Sequence, residues 1–317
     1  MPLWLTETDV RAVLDPGGLI GAMESALAAF SAGTVVQPVR TAFEIGELSF
    51  FAVMPAFDGE RAMLGAKLVT VVPGNAARGL HTHLAAIALF DAETGELLSV
   101  MDGRYITEVR TASVSAVSVR HLAREDSRVL AILGSGVQAR SHLDMLPHVR
   151  RFTEIRVWSP TPENRRSLPG ASAAESAEEA VRGADVILLA SNSVTPVIES
   201  DWVSNGAHVI AIGACRPTQR EIDPALVARA RLVVDSRAAA LQESGDIVQT
   251  IAEGRIAAGH IAAELGDIAA GRASGRTDPQ QVTLFKSLGL AIEDVTAAAI
   301  AYRRACENSR GLRLTLT

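Results

Sequence analysis

The spacing of hydrophobic positions changes character twice along the chain. Near the start, Thr6-Glu7-Thr8-Asp9 carries the pattern of a capping box and predicts a short helix. Asp15-Pro16-Gly17-Gly18 reads as a turn, after which Leu19, Met23, Ala26 and Phe30 recur at helical spacing up to Gly33. Over residues 38–101 the period shortens. Residues 50–53 (FFAV), 66–72 (AKLVTVV) and 86–90 (AIALF) are β-rich runs separated by Gly and Pro. Asp91-Ala92-Glu93-Thr94-Gly95 predicts a hairpin loop leading into LLSVM. Strands with few helices between them predict an antiparallel or mixed sheet.

A long helix over residues 107–122 follows. Its Thr111, Ala112, Ser113, Ser115 and Ala116 are small enough for another backbone to pack closely. From residue 128 strands and helices alternate. Short apolar runs at 128–133, 154–159, 185–190, 208–213 and 231–236 have helical material between most of them. Nearly continuous apolar strands of this kind belong to a parallel sheet covered on both faces. A last helix over 291–307 can return to the first region. The expected fold class is α/β, with a Rossmann-type dinucleotide-binding domain beside an α+β domain. The 317 residues suit two domains.

Composition mainly excludes. Hydrophobic residues are 48% and charged residues 21%, so long disordered stretches are not expected. Thirty basic residues against 36 acidic ones give a net charge of −6 with no basic run. Nucleic acid and anionic membranes are therefore poor partners. No apolar stretch approaches the roughly 20 residues of a membrane-spanning helix, and MPLWLTETDV lacks the features of a secretory signal. Two cysteines, Cys215 and Cys306, make no disulfide framework, and a cytoplasmic, reducing compartment is expected.

The segment Leu133-Gly134-Ser135-Gly136-Val137-Gln138-Ala139 follows the first strand of the alternating region and opens a helix. GxGxxA in that context is a dinucleotide loop. One glycine makes the turn, the next admits a pyrophosphate, and the helix N-terminus faces its charge. The second strand ends Ser159-Pro160-Thr161 with no acid to bind a ribose 2′-hydroxyl and repel a 2′-phosphate. Ser159, Thr161 and Arg165, with Arg166 beside it, suit a phosphate, so NADP is expected, with NAD possible. In the first region, Arg40, Lys67 and Arg110 lie among apolar or small neighbours. Either they grip a substrate carboxylate, or each pairs with a nearby acid or reaches water. His81 and His83 lack an obvious third ligand, and no metal is expected.

These segments together resemble the ornithine cyclodeaminase/mu-crystallin family. The resemblance rests on PVR at 38–40, MPA at 54–56, GAKLV at 65–69, PGN at 73–75, T-x-x-RTAS at 107–113 and GSGVQA at 134–139. It continues with IGA-x-x-P at 212–217, Arg220-Glu221-Ile222-Asp223, Gly245-Asp246 and LFKSLGLAIED at 284–294. It implies a homodimer whose substrate-binding and dimerisation domain spans 1–117 plus 294–317, around a Rossmann domain over 118–293. It also implies that Arg40, Lys67 and Arg110 hold a substrate carboxylate, with Lys67 and Arg110 closest to the chemistry. Met54 and His83 are candidate pocket residues. Gly134, Gly136, Val137 and Gln138 match the pyrophosphate loop, Thr111 a position near the cofactor, and Ser287 and Gly289 the loop near the nicotinamide.

Two departures decide the expected chemistry. Where cyclodeaminases carry an acid after the fourth Rossmann strand, this chain has Cys215. Where they carry a Glu before MPA, the aligned position falls near Ala52, inside SFFAVMPA. Losing both removes the acid/base pair for deamination and ring closure. The pattern is closer to the mu-crystallin branch, which is similar to NADPH-dependent ketimine reductases. The expected activity is reduction of a C=N bond beside a carboxylate, as in 1-pyrroline-2-carboxylate or 1-piperideine-2-carboxylate. Cyclodeaminase or amino-acid dehydrogenase chemistry, and non-catalytic binding of NADP and a small carboxylate, remain open.

Overall fold

The computed structural model describes residues 1–315; the last two positions of the expected first domain lie outside them. The chain divides into two compact units. One comprises residues 1–111 and the described residues from 290 on, the other residues 112–289. Both changeovers precede the boundaries read from sequence, at 117 and 293.

The first unit opens with strand β1 (Leu3–Leu5) and helix α1 (Glu7–Val13), which the Thr6–Asp9 capping box starts as expected. The turn expected at residues 15–18 is instead the start of helix α2 (Pro16–Ser31). Asp15 caps it by accepting from the Gly18 N–H at 2.9 Å, and Pro16 presets the first helical φ. Strands β2 (Val35–Val36), β3 (Thr41–Gly46), β4 (Ser49–Asp58), β5 (Met63–Val71), β6 (His83–Phe90) and β7 (Leu97–Asp102) follow. They are longer than the hydrophobic runs suggested. Pro55 in the middle of β4 falls where the edge of β4 away from β5 is unpaired, since β3 pairs with β4 only up to Val53 and β2 resumes at Phe57.

Helix α3 (Arg104–Leu122) carries the chain into the second unit, the changeover falling after Thr111. There the strands are β8 (Val129–Leu133), β9 (Glu154–Trp158), β10 (Ser172–Ala173), β11 (Val186–Leu189), β12 (His208–Ala211), β13 (Arg231–Val234), β14 (Ile261–Glu264) and β15 (Thr283–Lys286). They form one eight-stranded sheet in the order β10-β9-β8-β11-β12-β15-β13-β14, paired in parallel throughout. Helices α4 (Val137–Met145), α5 (Pro162–Arg165), α6 (Ala177–Val181), α7 (Pro224–Arg229), α8 (Arg237–Glu243), α9 (Gly245–Ala252) and α10 (Leu265–Ala269) connect them. The five strands read from sequence are present. The central strand β15 was not among them, because Lys286 interrupts its apolar pattern.

The chain then returns to the first unit as helix α11 (Ala291–Glu307) and strand β16 (Leu312–Arg313). The first sheet runs β16-β1-β7-β6-β5-β4-β2, with β3 also on β4. Helix α11 packs against α2 and one face of β4, β5 and β6. Gly65 permits the approach: a Cβ there would lie 2.7 Å from the Ala88 carbonyl and 3.2 Å from Val295 Cγ2. No helix among the described residues is long and apolar enough to cross a membrane.

Two buried histidines tie α3 to the second sheet. The His142 Nδ1–H donates to the Gln138 carbonyl at 2.7 Å, and the Ser115 hydroxyl lies 2.8 Å from Nε2. The His208 ring nitrogens lie 2.9 Å from Thr283 Oγ1 and 3.1 Å from Ser118 Oγ. Burial favours the neutral rings and lowers their pKa values to about 4 and about 3. The unfolded chain therefore takes up protons first as pH falls below about 6.5. Stability is full above that value and falls toward pH 4, His142 accounting for about 3 kcal/mol. Thermal melts at pH 7 and 4.5 measure this. The loss in Tm should be smaller in His142→Gln, and an equal loss would assign the acid sensitivity to other groups.

Candidate active site

Alternation along the first sheet places Met54, Lys67 and Ile87 on the face that α11 covers. Lys67 is 2% exposed and has a fully buried acid against it: Lys67 Nζ lies 2.5 Å from Asp294 Oδ2. The other oxygen of the same carboxylate accepts from Arg110 Nε at 3.0 Å, and Arg110 Nη1 lies 2.5 Å from Glu293 Oε2. Arg110 comes from α3 and the two acids from the first turn of α11. Arg40, just before β3, is close enough to act on the charge of Lys67. The structure thus brings Lys67 and Arg110 together on Asp294, with the Arg40 charge felt at Lys67. Their acids are not local in sequence; Glu293 and Asp294 lie 183 and 184 positions from Arg110.

Burial lowers the Lys67 pKa to about 8, with Arg110 and Arg40 adding to the fall and Asp294 opposing it. Burial alone would raise the Asp294 carboxyl, but Arg110 and Lys67 outweigh it and hold it below its ordinary value. His83, on the same face of β6, is lowered to about 4 by burial and by the Lys67 and Arg110 cations. It is neutral near pH 7. Met54 is buried opposite Lys67 in the strand register. Ala52 is fully buried two positions along the same face. The carboxylates of this face enter from α11 instead. In sequence they end the LFKSLGLAIED motif but had no role assigned, because acids in the first turn of a helix are ordinary.

The second unit carries the dinucleotide loop. Gly134 has φ +128 and donates its N–H to the Trp158 carbonyl at 2.8 Å. A Cβ there would fall 2.3 Å from the Ala190 carbonyl, so only glycine fits. Gly136 is the N-cap of α4, no side chain caps that helix, and a Cβ on Gly136 would meet nothing within 4 Å. Ala139 is fully buried where helix and strand meet. Free helical N–H groups beside open space fit a pyrophosphate. Val137 is exposed and Gln138 half-buried, with Gln138 Oε1 buried and unpartnered.

At the tip of β9, the buried Ser159 donates its hydroxyl to the Thr161 carbonyl at 3.1 Å, and Thr161 is exposed. Arg165 is committed to the backbone: Nε donates to the Ser159 carbonyl at 2.7 Å and Nη1 to the Glu175 carbonyl at 3.1 Å. Arg166 is exposed. In the loop after β15, one carboxylate oxygen of Asp235 accepts from the Ser287 hydroxyl at 3.0 Å and from the N–H groups of Leu288 and Gly289 at 2.6 and 2.7 Å. The buried Asp235 therefore shapes the segment that carries Ser287 and Gly289, and nothing in the sequence pattern singled it out. In the first unit, Thr111 donates its hydroxyl to the Thr107 carbonyl at 2.7 Å. Cys215, after β12, is half-buried and donates its thiol to the Ile212 carbonyl at 3.4 Å. Among the described residues no group of three or more His, Cys, Asp or Glu is placed to hold a metal ion.

A chain that carries a parallel α/β unit with a glycine-rich turn at the head of its helix, and a second unit with a buried cation cluster, has the fold of a nucleotide-dependent oxidoreductase class. The family model described as "Ornithine cyclodeaminase/mu-crystallin family" matches residues 2–309, and the chain belongs to that family. It is 40% identical over 311 residues to a rat protein named ketimine reductase mu-crystallin, covering 95% of this chain and 96% of the relative. The structure of Thermococcus litoralis Delta(1)-pyrroline-2-carboxylate reductase in complex with NADH and L-proline is similar at TM-score 0.96. It is 36% identical, covering 98% of this chain and all of that one (100%). An archaeal alanine dehydrogenase dimer with bound NAD is similar at TM-score 0.94 and 31% identity, covering 100% of this chain and 99% of that one.

Asp294 is the shared acceptor of two buried cations. Removing one partner of such a group leaves uncompensated charge, so Asp294→Ala should lose about 3–5 kcal/mol in urea unfolding. A loss under about 1 kcal/mol would mean that water reaches Lys67 and Arg110 freely.

Proposed function

We propose that the protein is an NAD(P)H-dependent reductase of ketimines beside a carboxylate, producing a cyclic imino acid from a substrate such as 1-pyrroline-2-carboxylate or 1-piperideine-2-carboxylate. The observation that carries this reading is the buried cluster of Lys67, Arg110 and Asp294. Arg110, whose Nε and Nη1 are held by Asp294 and Glu293, keeps Nη2 for a substrate carboxylate, and Arg40 would add a second guanidinium. Lys67, with a pKa of about 8, is still largely charged near neutrality and can release a proton from Nζ to the imine nitrogen. Asp294 holds both cations, accepting from Arg110 Nε and pairing in charge with Lys67. Met54 and His83 line the same face, and the neutral His83 adds no competing charge.

Gly134, Gly136, Val137 and Gln138 would hold the pyrophosphate, with Thr111, Ser287 and Gly289 assigned near the cofactor. The dinucleotide, when bound, supplies the hydride. NADPH is the proposed reductant and NADH the second choice, since the tip of β9 carries Ser159 and Thr161 rather than an acid. Arg165 shapes this tip through its backbone bonds, which leaves the exposed Arg166 nearer the role of phosphate partner. Ala52 and Cys215, where cyclodeaminases hold acids, disfavour ammonia release. The free cysteines suit a cytoplasmic setting.

The partner that fits the first sheet is a second copy of the chain. Phe43, Leu68 and Leu84 are 58%, 43% and 44% exposed on the face opposite α11, and the rings of Phe43 and Phe51 lie 5.5 Å apart there. Such a patch marks an interface. Light scattering should give a dimer, and Leu68→Glu a monomer; a monomeric wild type would overturn the assignment.

The reaction is tested by loss of NADPH absorbance with 1-pyrroline-2-carboxylate and its six-membered analogue, with NADH in parallel. Stoichiometric oxidation is expected, with the rate falling as pH rises through about 8 and Lys67 loses its proton. Lys67→Ala should abolish turnover and leave NADPH binding unchanged. Full activity in that variant, or ammonia release from ornithine without NADPH loss, would sink the reading.

A further inference from the structure

Three motifs have no part in the reaction above: Arg220-Glu221-Ile222-Asp223, Gly245-Asp246, and the lysine of LFKSLG. In the second unit they converge. Lys286, Glu221 and Asp246 are each fully buried. Lys286 Nζ lies 2.9 Å from Asp246 Oδ2 and 3.7 Å from Glu221 Oε1. Burial opposes the ammonium, yet Asp246 and Glu221 hold Lys286 charged, while burial and Asp246 raise the Glu221 carboxyl to about 7 against the pull of Lys286. A buried charged triad adds little stability over an apolar core of the same volume. Its presence here calls for another account, and the hydrogen bonds supply one.

Glu221 Oε1 accepts from the N–H groups of Gly213 and Ala214, at 2.7 and 3.2 Å, in the segment after β12. Its Oε2 accepts from the Ser191 hydroxyl at 3.0 Å, after β11. Asp246 Oδ1 accepts from the N–H groups of Glu221 and Ile222, at 2.8 and 3.0 Å. The segments are closed against each other. A Cβ on Gly213 would lie 2.0 Å from the Ser191 carbonyl, and one on Gly245 1.9 Å from the Gln219 carbonyl. A chain of charge therefore runs from the end of β15 to the ends of β11 and β12. In open parallel sheets this carboxyl edge is where ligands bind. The residue next in line is Cys215, whose N–H donates to Gln219 Oε1 at 3.3 Å.

We infer that Lys286, Asp246 and Glu221 are positioning residues, a buried charged tether that fixes the backbone of residues 191 and 213–215 and sets where the Cys215 thiol stands at the carboxyl edge of the parallel sheet. Its effect on rate rests on the reductase reading; its effect on the thiol does not.

The test uses the full-length protein carrying Cys306→Ser, so that Cys215 is the thiol that reports. Glu221→Gln keeps the shape of the side chain but turns one acceptor into a donor facing the backbone. The rate of Cys215 alkylation by iodoacetamide should change by about tenfold or more. The kcat for imine reduction should fall by about tenfold or more, with KM for the imine within about twofold, because its carboxylate is assigned to the first unit. Lys286→Met combined with Asp246→Asn removes one charge of each sign and should move both readouts the same way. It decides the matter where Glu221→Gln does not fold. If these variants only melt earlier, with thiol reactivity and kcat within about twofold of the parent, the cluster is a packing element and the inference falls. If the parent reduces no imine, the reductase reading fails, and the alkylation rates alone decide the tether.

Discussion

Burying an unpaired charge is among the most expensive things a fold can do. The first unit is organised around avoiding that expense with one carboxylate. Asp294 takes Lys67 on one oxygen and Arg110 on the other. Everything local serves that meeting. The alternation of β5 turns Lys67 toward α11, Gly65 lets the helix come close, and Arg110 arrives from α3. The three segments are distant in sequence. The pairing therefore exists only when sheet and helices are all in place.

The second unit solves the same problem differently. Its buried acids are satisfied mainly by backbone N–H groups: Asp235 by the segment after β15, Glu221 by the segments after β11 and β12. Such N–H bonds favour the ionised carboxylate, although at Glu221 burial and the neighbouring Asp246 outweigh them and raise the carboxyl to about 7. Such acids act as fixed points for loops that have no regular structure of their own. The glycine-rich turn needs no such acid, because Gly134 and Ala139 already bring strand and helix together.

How much of this was legible in the sequence depended on distance along the chain. The dinucleotide loop was readable because its glycines, strand and helix are contiguous. The five regular Rossmann strands were readable for the same reason. Strand β15 was hidden because Lys286, buried by partners elsewhere, looks polar in a four-residue run. The start of α2 was misread because Asp-Pro-Gly-Gly suits a turn as well as an N-cap, and only the helix that follows decides between them. Arg40, Lys67 and Arg110 stood out as cations in apolar surroundings. Glu293 and Asp294 did not, because their meaning comes from residues more than 180 positions away.

The return of α11 to the first unit has a consequence for biosynthesis. Residues 112–289 form a contiguous unit, so the parallel sheet can close while the chain is still being made. The first sheet cannot be completed then. Until α11 leaves the ribosome, Lys67 and Arg110 lack their acids, and the face lined by Met54 and Ile87 lacks its cover. The nascent protein holds an exposed, cationic, apolar sheet for most of its synthesis, and the helix that neutralises the charge is the same one that shields the surface.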